Sequence, residues 1–400
     1  MSYWYVPFGI IVTVLLAGFM IINPTLTIKS AADGIDLWFR LVLPALFPFF
    51  VASELLVQFG FVRLLGWLLE PITRPFFRLP GASSFVIVMG FTSGFPVGAF
   101  LTRRLLEEKL LNIKEAERLV SFTNNASPLF ILETVAVGMF GLPEAGYILA
   151  GSHYLANLTV GFIWGRMASD SSEKSNSPGP QNQDRQASLL QVLRTCQNSH
   201  TSIGKIMGDS IRKAIASVVG VGGFIVMFSV ITRMLQALGF IDLIAKFLQQ
   251  AAVGLHLPYS LAYGLSIGLF EMTLGTKSIT SSEASLLQQL VAVSAAMAWS
   301  GISIISQVMS IVSGTPIRLS FYLRSRLLQM LLASVFTYVA YHVILTKRLV
   351  EVFPRSLLMS PVHYNPSVGA YLFPLLAAGI VLLFACLLSG VVKYAVSRQR

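Results

Sequence analysis

Apolar stretches of about 20 residues, each enough to cross the ~30 Å hydrocarbon core of a bilayer, recur along this chain and restrict its fold class. They cover residues 3–22, 34–59, 83–101, 119–140 and 144–164, then 215–238, 258–276, 286–312, 321–345 and 368–392 after a polar gap. Helices satisfy their own backbone hydrogen bonds in lipid. The expectation is therefore an all-α polytopic membrane protein with about ten membrane segments, some of them re-entrant. Composition agrees, since 54% of residues are apolar and 12% are charged, about half the charge of a soluble domain. The 29 Lys+Arg against 18 Asp+Glu leave +11, an excess that membrane proteins carry in loops facing cytoplasm and anionic lipid. No basic run with interleaved aromatics points to a nucleic-acid partner. Cys196 and Cys386 alone give neither a disulfide framework nor a metal knuckle.

Residues 1–29 read as an N-terminal anchor helix, and 347–400 as a loop with a C-terminal membrane helix. Between them, 166–207 holds a Ser/Pro/Gln-rich stretch with too few apolar side chains to offset folding entropy, hence a disordered linker. It is followed by an amphipathic segment carrying Leu189, Leu190, Leu193, Ile203, Ile206 and Met207. Residues 61–78 and 240–256 have a similar pattern. These paired features point to a duplication. An ungapped alignment matches Ser121/Ser294, Ser127/Ser300, Ile131/Ile304, Val135/Val308 and Gly141/Gly314, and with small gaps Leu79-Pro80 meets Leu257-Pro258 and Gly98 meets Gly275. The reading is two repeats, 30–165 and 208–346, a common plan in transporters whose site lies at the repeat interface. Whether they are parallel or inverted, and which side faces the cytoplasm, stays open.

Polar residues inside apolar stretches mark the candidate site. In Thr123-Asn124-Asn125-Ala126-Ser127-Pro128 the asparagines end a helix, Ser127 suits an N-cap and Pro128 the first helical position. A helix that stops and restarts at membrane depth is tolerated only against protein or a water-filled cavity, and its new N-terminus favours an anion. The equivalent in the second half is Trp299-Ser300-Gly301, followed by Ser303, Ser306 and Gln307. The alternative is a proline kink whose asparagines bond a neighbouring helix. A second pair of breaks lies upstream, at Thr92-Ser93-Gly94 and at Glu271-Met272-Thr273. Gly98 and Gly275 are better read as close helix contacts.

Carboxylates at such depth are costly. Glu133 and Glu271, one in each half, are candidates to bind a proton or Na⁺ for coupling; the alternative is a structural charge pair, for which Lys277 is available to Glu271. Asp36 and Arg40 have i, i+4 spacing and read as a surface pair, and Glu54 as a snorkelling side chain. His153 and Asn157 share a helix face and read as interhelical hydrogen bonding, while His200, His256, His342 and His363 do not cluster. There is no HExxH, no Cys/His quartet and no phosphate-binding loop motif. No enzyme activity, metal or cofactor is expected.

The runs Gly90 to Gly98, Thr123 to Phe130, Glu271 to Gly275 and Ser300 to Val308, in this order, resemble the YlbJ-type sporulation integral membrane proteins over about residues 5–350. That family lies within the wider nucleoside-transporter-like gate domain group. The resemblance implies two pseudo-symmetric gate repeats whose hairpins and broken helices form a substrate site. It also implies transport of dipicolinic acid, pyridine-2,6-dicarboxylate, from the mother cell across the outer forespore membrane of a spore-forming bacterium. The substrate contacts expected are Thr92, Ser93, Gly94, Asn124, Asn125, Ser127, Glu271, Thr273, Ser300, Gly301, Ser303 and Gln307, with a helix N-terminus facing each carboxylate. Phe95, Phe130 or Trp299 are candidates to contact the ring. The alternatives are a nucleoside-type carrier of small metabolites and a non-transporting scaffold of a sporulation complex. The partners expected are therefore a small organic anion and the lipid bilayer; oligomeric state is left open.

Overall fold

A computed structural model describes residues 5–59, 61–168, 202–251, 254 and 257–344. Of the linker and amphipathic segment expected over 166–207, residues 169–201 lie outside the described residues, as does the segment expected over 368–392, while Arg166 and Met167 end a helix. Ile203, Ile206 and Met207, expected in an interfacial segment, instead open a long helix that Ser202 caps at the Lys205 amide. Among the described residues every regular element is helical.

The chain enters through α1 (Tyr5–Ile22) and turns by 107° into α2 (Pro24–Leu37). Pro24 lacks the N–H that would continue α1 and its ring opposes a straight helix, so the turn falls at Asn23. A short π-helical stretch, Trp38–Val42, leads into α3 (Leu43–Gln58), which has Pro44 in its first turn and Pro48 inside. The wider π turn accommodates the hydrogen-bond deficit ahead of those prolines. The helix α9 (Ile203–Ala237) lies along α2 and α3. Close approach is secured by glycine: a Cβ on Gly222 would sit 2.6 Å from the Trp38 ring and one on Gly34 2.9 Å from Val226. Trp38 Nε1 donates to the Val218 carbonyl at 3.1 Å. In lipid such packing, rather than release of water, holds helices together.

Two series of helices then follow the same order. The first runs α4 (Phe61–Phe77), α5 (Ser83–Ser93), α6 (Val97–Glu107), α7 (Ile113–Thr123), a π-helical segment Phe130–Met139, and α8 (Pro143–Met167). The second runs α10 (Phe240–Ala251), α11 (Tyr259–Phe270), α12 (Met272–Thr280), α13 (Leu286–Trp299), α14 (Gly301–Ile311) and α15 (Leu319–Ile344). A capping box starts α7, from Asn112 and Glu115, and another starts α13, from Ser285 and Gln288. α5 has 11 residues and α11 has 12, lengths of ~16–18 Å that reach about halfway across a bilayer. By length and composition, two of the described helices can cross a membrane, Ile203–Ala237 and Leu286–Ile311, and a third crossing is available if the bent α1–α2 pair counts as one. The expected count of about ten segments is not confirmed among the described residues, where four of the apolar stretches, 83–101, 119–140, 258–276 and 286–312, are interrupted midway.

α8 and α15 pack against each other and bring the two series together. Gly98 and Gly275 behave as close contacts: a Cβ there would lie 2.4 Å from the Thr123 carbonyl oxygen and 2.3 Å from Gly268 Cα, respectively. Asp36 and Arg40 form an exposed i, i+4 ion pair. Glu54 does not snorkel. It is fully buried and pairs with Lys213 of α9 at 3.1 Å, since α9 covers the face along which it would have reached water.

At one edge the two series are tied by charge. Arg318, in the connection before α15, holds Glu117 of α7 through Nε at 2.8 Å and Nη2 at 2.7 Å, and Arg103 donates to the Ile311 carbonyl at 2.6 Å. Glu117 belongs to the charged stretch 103–118 that precedes the apolar segment. Burial opposes its ionisation, but the hydrogen bonds and charge of Arg318 outweigh burial and hold its carboxyl below the ordinary value. A depressed folded-state pKa stabilises the fold above the unfolded-state value, and that contribution is lost as pH falls through the folded-state value. The melting-temperature gap between the native protein and Glu117→Gln should be full at roughly pH 6–7 and close as pH drops below 4.5. A gap independent of pH would show that the pair does not stabilise the fold.

Candidate functional site

Four helix interruptions form the interior. α5 stops at Ser93, and Gly94 takes φ +86° and ψ −171°, a region open to glycine alone; a cis Phe95-Pro96 bond leads into α6. α7 stops at Thr123, with Asn124 extended at φ −98° and ψ 91°. Ser127 Oγ then accepts from the Phe130 amide at 3.2 Å, so the chain restarts where Ser-Pro chemistry places it. In the second series α11 stops at Phe270, and Glu271 caps α12 by accepting from the Thr273 and Leu274 amides at 3.1 and 2.6 Å. α13 ends on Ser300 at φ +70°, and Gly301 follows at φ +77°.

The interruptions meet in pairs. A Cβ on Gly94 would come within 2.8 Å of Ser127, and one on Gly301 within 3.0 Å of the Phe270 carbonyl oxygen and 3.1 Å of the Met272 nitrogen. Each glycine therefore lets one break seat against the other break of its own series.

Next to these crossings lies a cavity of about 230 Å³, at the small end of ligand pockets. Of the expected contacts, Ser93, Gly94, Ser127, Glu271, Thr273, Ser303 and Gln307 line it, as do Phe95 and Phe130. Sequence reasoning missed its apolar wall, Leu37, Val42, Leu46, Val221 and Ile225 from α2, the π turn, α3 and α9. Ser93 Oγ is buried there without a hydrogen-bond partner among the described residues. The one ionisable side chain in the lining is Glu271.

The remaining candidates lie elsewhere. Thr92 returns its hydroxyl to the Val88 carbonyl at 2.9 Å. Trp299 donates to the Leu269 carbonyl at 3.1 Å, and Ser300 and Gly301 form the turn. Thr134 lines the cavity but adjacent Glu133 does not, since neighbouring helical residues face different directions. Lys277 is exposed and makes no ion pair with Glu271 among the described residues. Six residues place it ~240° around the helix and ~9 Å along it, and the α12 amides already hold the carboxylate.

Asn124 and Asn125 are fully buried and do not line the cavity. Asn124 donates to the Tyr322 hydroxyl at 2.9 Å. His153 Nε2 accepts from the Ala126 amide at 3.3 Å, Asn157 donates to the His153 carbonyl at 2.8 Å, and Tyr154 donates to the Ala126 carbonyl at 3.0 Å. Buried Arg326 reaches across from α15 to the Asn124 and Ser121 carbonyls. Side chains of α8 and α15 thus serve the Asn124 carbonyl and the Ala126 amide and carbonyl of the connector. Sequence reading passed over Arg326, yet a signal was present: Tyr322, Leu323, Gln329 and Met330 stand at i±3 and i±4, so its own helix supplies no acid.

The described helices enclose a cavity at their interruptions, and residues 39–143 match the Gate family, described as nucleoside recognition. Over 336 residues the chain is 40% identical to the sporulation integral membrane protein YlbJ of Bacillus subtilis (strain 168), covering 81% of each protein. The chain belongs to this family of sporulation integral membrane proteins. A stretch of 88 residues is 34% identical to an uncharacterized protein of Alkalihalophilus pseudofirmus, covering 22% of this chain and 19% of that one. No solved structure matches.

Tyr322→Phe should leave the buried Asn124 amide without its acceptor, at a cost of about 1–3 kcal/mol. The measurement is thermal unfolding of the purified protein in detergent. An unchanged midpoint would mean that the hydroxyl does not support the break.

Proposed function

We propose that the chain is a secondary transporter or facilitator for a small organic anion, dipicolinate by its family resemblance, acting at the outer forespore membrane. The observation that carries the reading is the cavity, walled by interruptions or restarted helices of both series. Transporters place substrate at such discontinuities near the bilayer midplane, where irregular backbone is tolerated because it lines a cavity. The shared helix order, the two capping boxes and the paired breaks support two pseudo-symmetric gate repeats, 30–165 and 208–346. Counting each broken pair as a crossing brings the expected segments toward ten.

In this reading Phe95 and Phe130 contact the substrate ring, and Ser93, Ser127, Thr273, Ser303 and Gln307 offer hydrogen bonds. Glu271 is the acid through which a proton gradient couples to transport. An anion in this cavity lies beside a carboxylate, so protonating Glu271 removes a repulsion while substrate is bound. A second reading, a nucleoside-type carrier, is favoured by the Gate match and by a lining otherwise free of charge.

Labelled dipicolinate and uridine fluxes into proteoliposomes decide between these readings. The proposal expects dipicolinate flux that an inward proton gradient raises, and it expects Glu271→Gln to lose that pH dependence. Uridine flux without dipicolinate flux selects the nucleoside reading, and flux of neither removes the transporter.

A further inference from the structure

An anion in the cavity meets no cation in its wall, where Glu271 is the one ionisable group. A cation does stand behind the connector 124–127. Arg326 is fully buried in α15; its Nη1 donates to the Asn124 carbonyl at 3.0 Å, its Nη2 to the Ser121 carbonyl, and its guanidinium lies 5.1 Å from the Tyr322 ring centroid. Among the described residues no carboxylate lies within ion-pair distance of it, and its Nε has no partner. The carbonyls at the end of α7 supply at most the partial negative charge of a helix C-terminus, less than a counter-ion.

The same region holds further buried polar groups. Asn125, on the connector, and Gln329, three residues beyond Arg326 on α15, are both fully buried, and neither the oxygen nor the nitrogen of either side chain has a partner among the described residues. Buried amides are ordinarily hydrogen-bonded, and a guanidinium taken from water ordinarily meets an anion. Water would satisfy the amides but leave the charge uncompensated. A carboxylate answers both, because guanidinium and amide N–H groups donate to its two oxygens.

We propose that Arg326, Asn125 and Gln329 form a carboxylate-binding subsite, separated from the cavity by the 124–127 connector, that receives one carboxylate of the transported anion when the connector moves. The inference rests on the transport reading and gives the anion the cation that the cavity lacks. Ala126 and Ser127 line the cavity while the Asn124 carbonyl of the same connector accepts from Arg326, so a displacement of this segment is what opens the cavity toward Arg326.

The test uses the full-length protein in lipid nanodiscs, with calorimetric titration of pyridine-2,6-dicarboxylate, and proteoliposome flux in parallel. Asn125→Ala and Gln329→Ala remove polar atoms that lack partners, so any fall in melting temperature reflects lost packing of the buried side chain and is read separately from binding. Each should weaken dicarboxylate binding by roughly tenfold, the loss of one hydrogen bond to a charged group. Arg326→Lys keeps the charge but not the planar fork and should weaken it further. Native-like dissociation constants in both alanine variants overturn the subsite, whether or not Arg326→Lys folds. Unchanged binding in the variants with flux in the native protein removes the subsite and leaves the transporter. Variant-sensitive binding without native flux leaves the subsite and removes the transporter. No dicarboxylate binding by the native protein overturns the subsite outright.

Discussion

Backbone hydrogen bonding without water is the constraint on which this structure turns. A helix that stops inside a bilayer leaves carbonyls and amides bare, and here side chains cap two of the four restarts. Ser127 and Glu271 cap the amides of the helices they precede. Arg326 and His153 serve the carbonyls and the amide of the 124–127 connector from two other helices. Glycines at 94 and 301 let the breaks seat against each other at distances a side chain would forbid. The cavity exists because four chain segments change direction at one level, supported from behind.

Charge is distributed by the same logic. Nine Asp, Glu, Lys and Arg residues are concentrated in the 103–118 stretch, where Glu117 is held by Arg318 and ties the two helical series. Buried charges are few and each has a structural context: Glu54 with Lys213, Glu271 on helix amides, Arg326 on helix carbonyls. Glu271 facing the cavity and Arg326 behind its wall leave the interior with one acid and one base on opposite sides of a thin connector. That polarity is the physical content of the anion-transport proposal.

Local chemistry made much of this legible in the sequence. Asn-Asn-Ala-Ser-Pro encodes a stop and restart within five residues, and the structure places both there. Glycine at 94 and 301 is required by positive φ, which sequence can flag. What depended on distant parts of the chain was not legible. Lys277 could not be excluded from Glu271 until the capping of α12 was known, and Glu54 read as snorkelling because its cover, α9, lies some 160 positions away. Arg326 was overlooked because its partners are carbonyls about 200 residues upstream, and backbone oxygens leave no residue signature. The apolar cavity wall was invisible for a similar reason, since leucines and valines in a membrane helix look alike whether they face lipid or ligand.

The central claim is that the cavity at the four breaks is where substrate binds. Its most direct test replaces Ser303 by cysteine in a chain whose Cys196 and Cys386 are changed to serine, with Thr92→Cys as a position outside the lining. The two are labelled with a small membrane-impermeant thiol reagent, with and without dipicolinate. The account predicts that dipicolinate slows labelling at 303 at least several-fold and leaves 92 unaffected. Equal labelling at 303 with and without dipicolinate, in protein that transports it, would contradict the account.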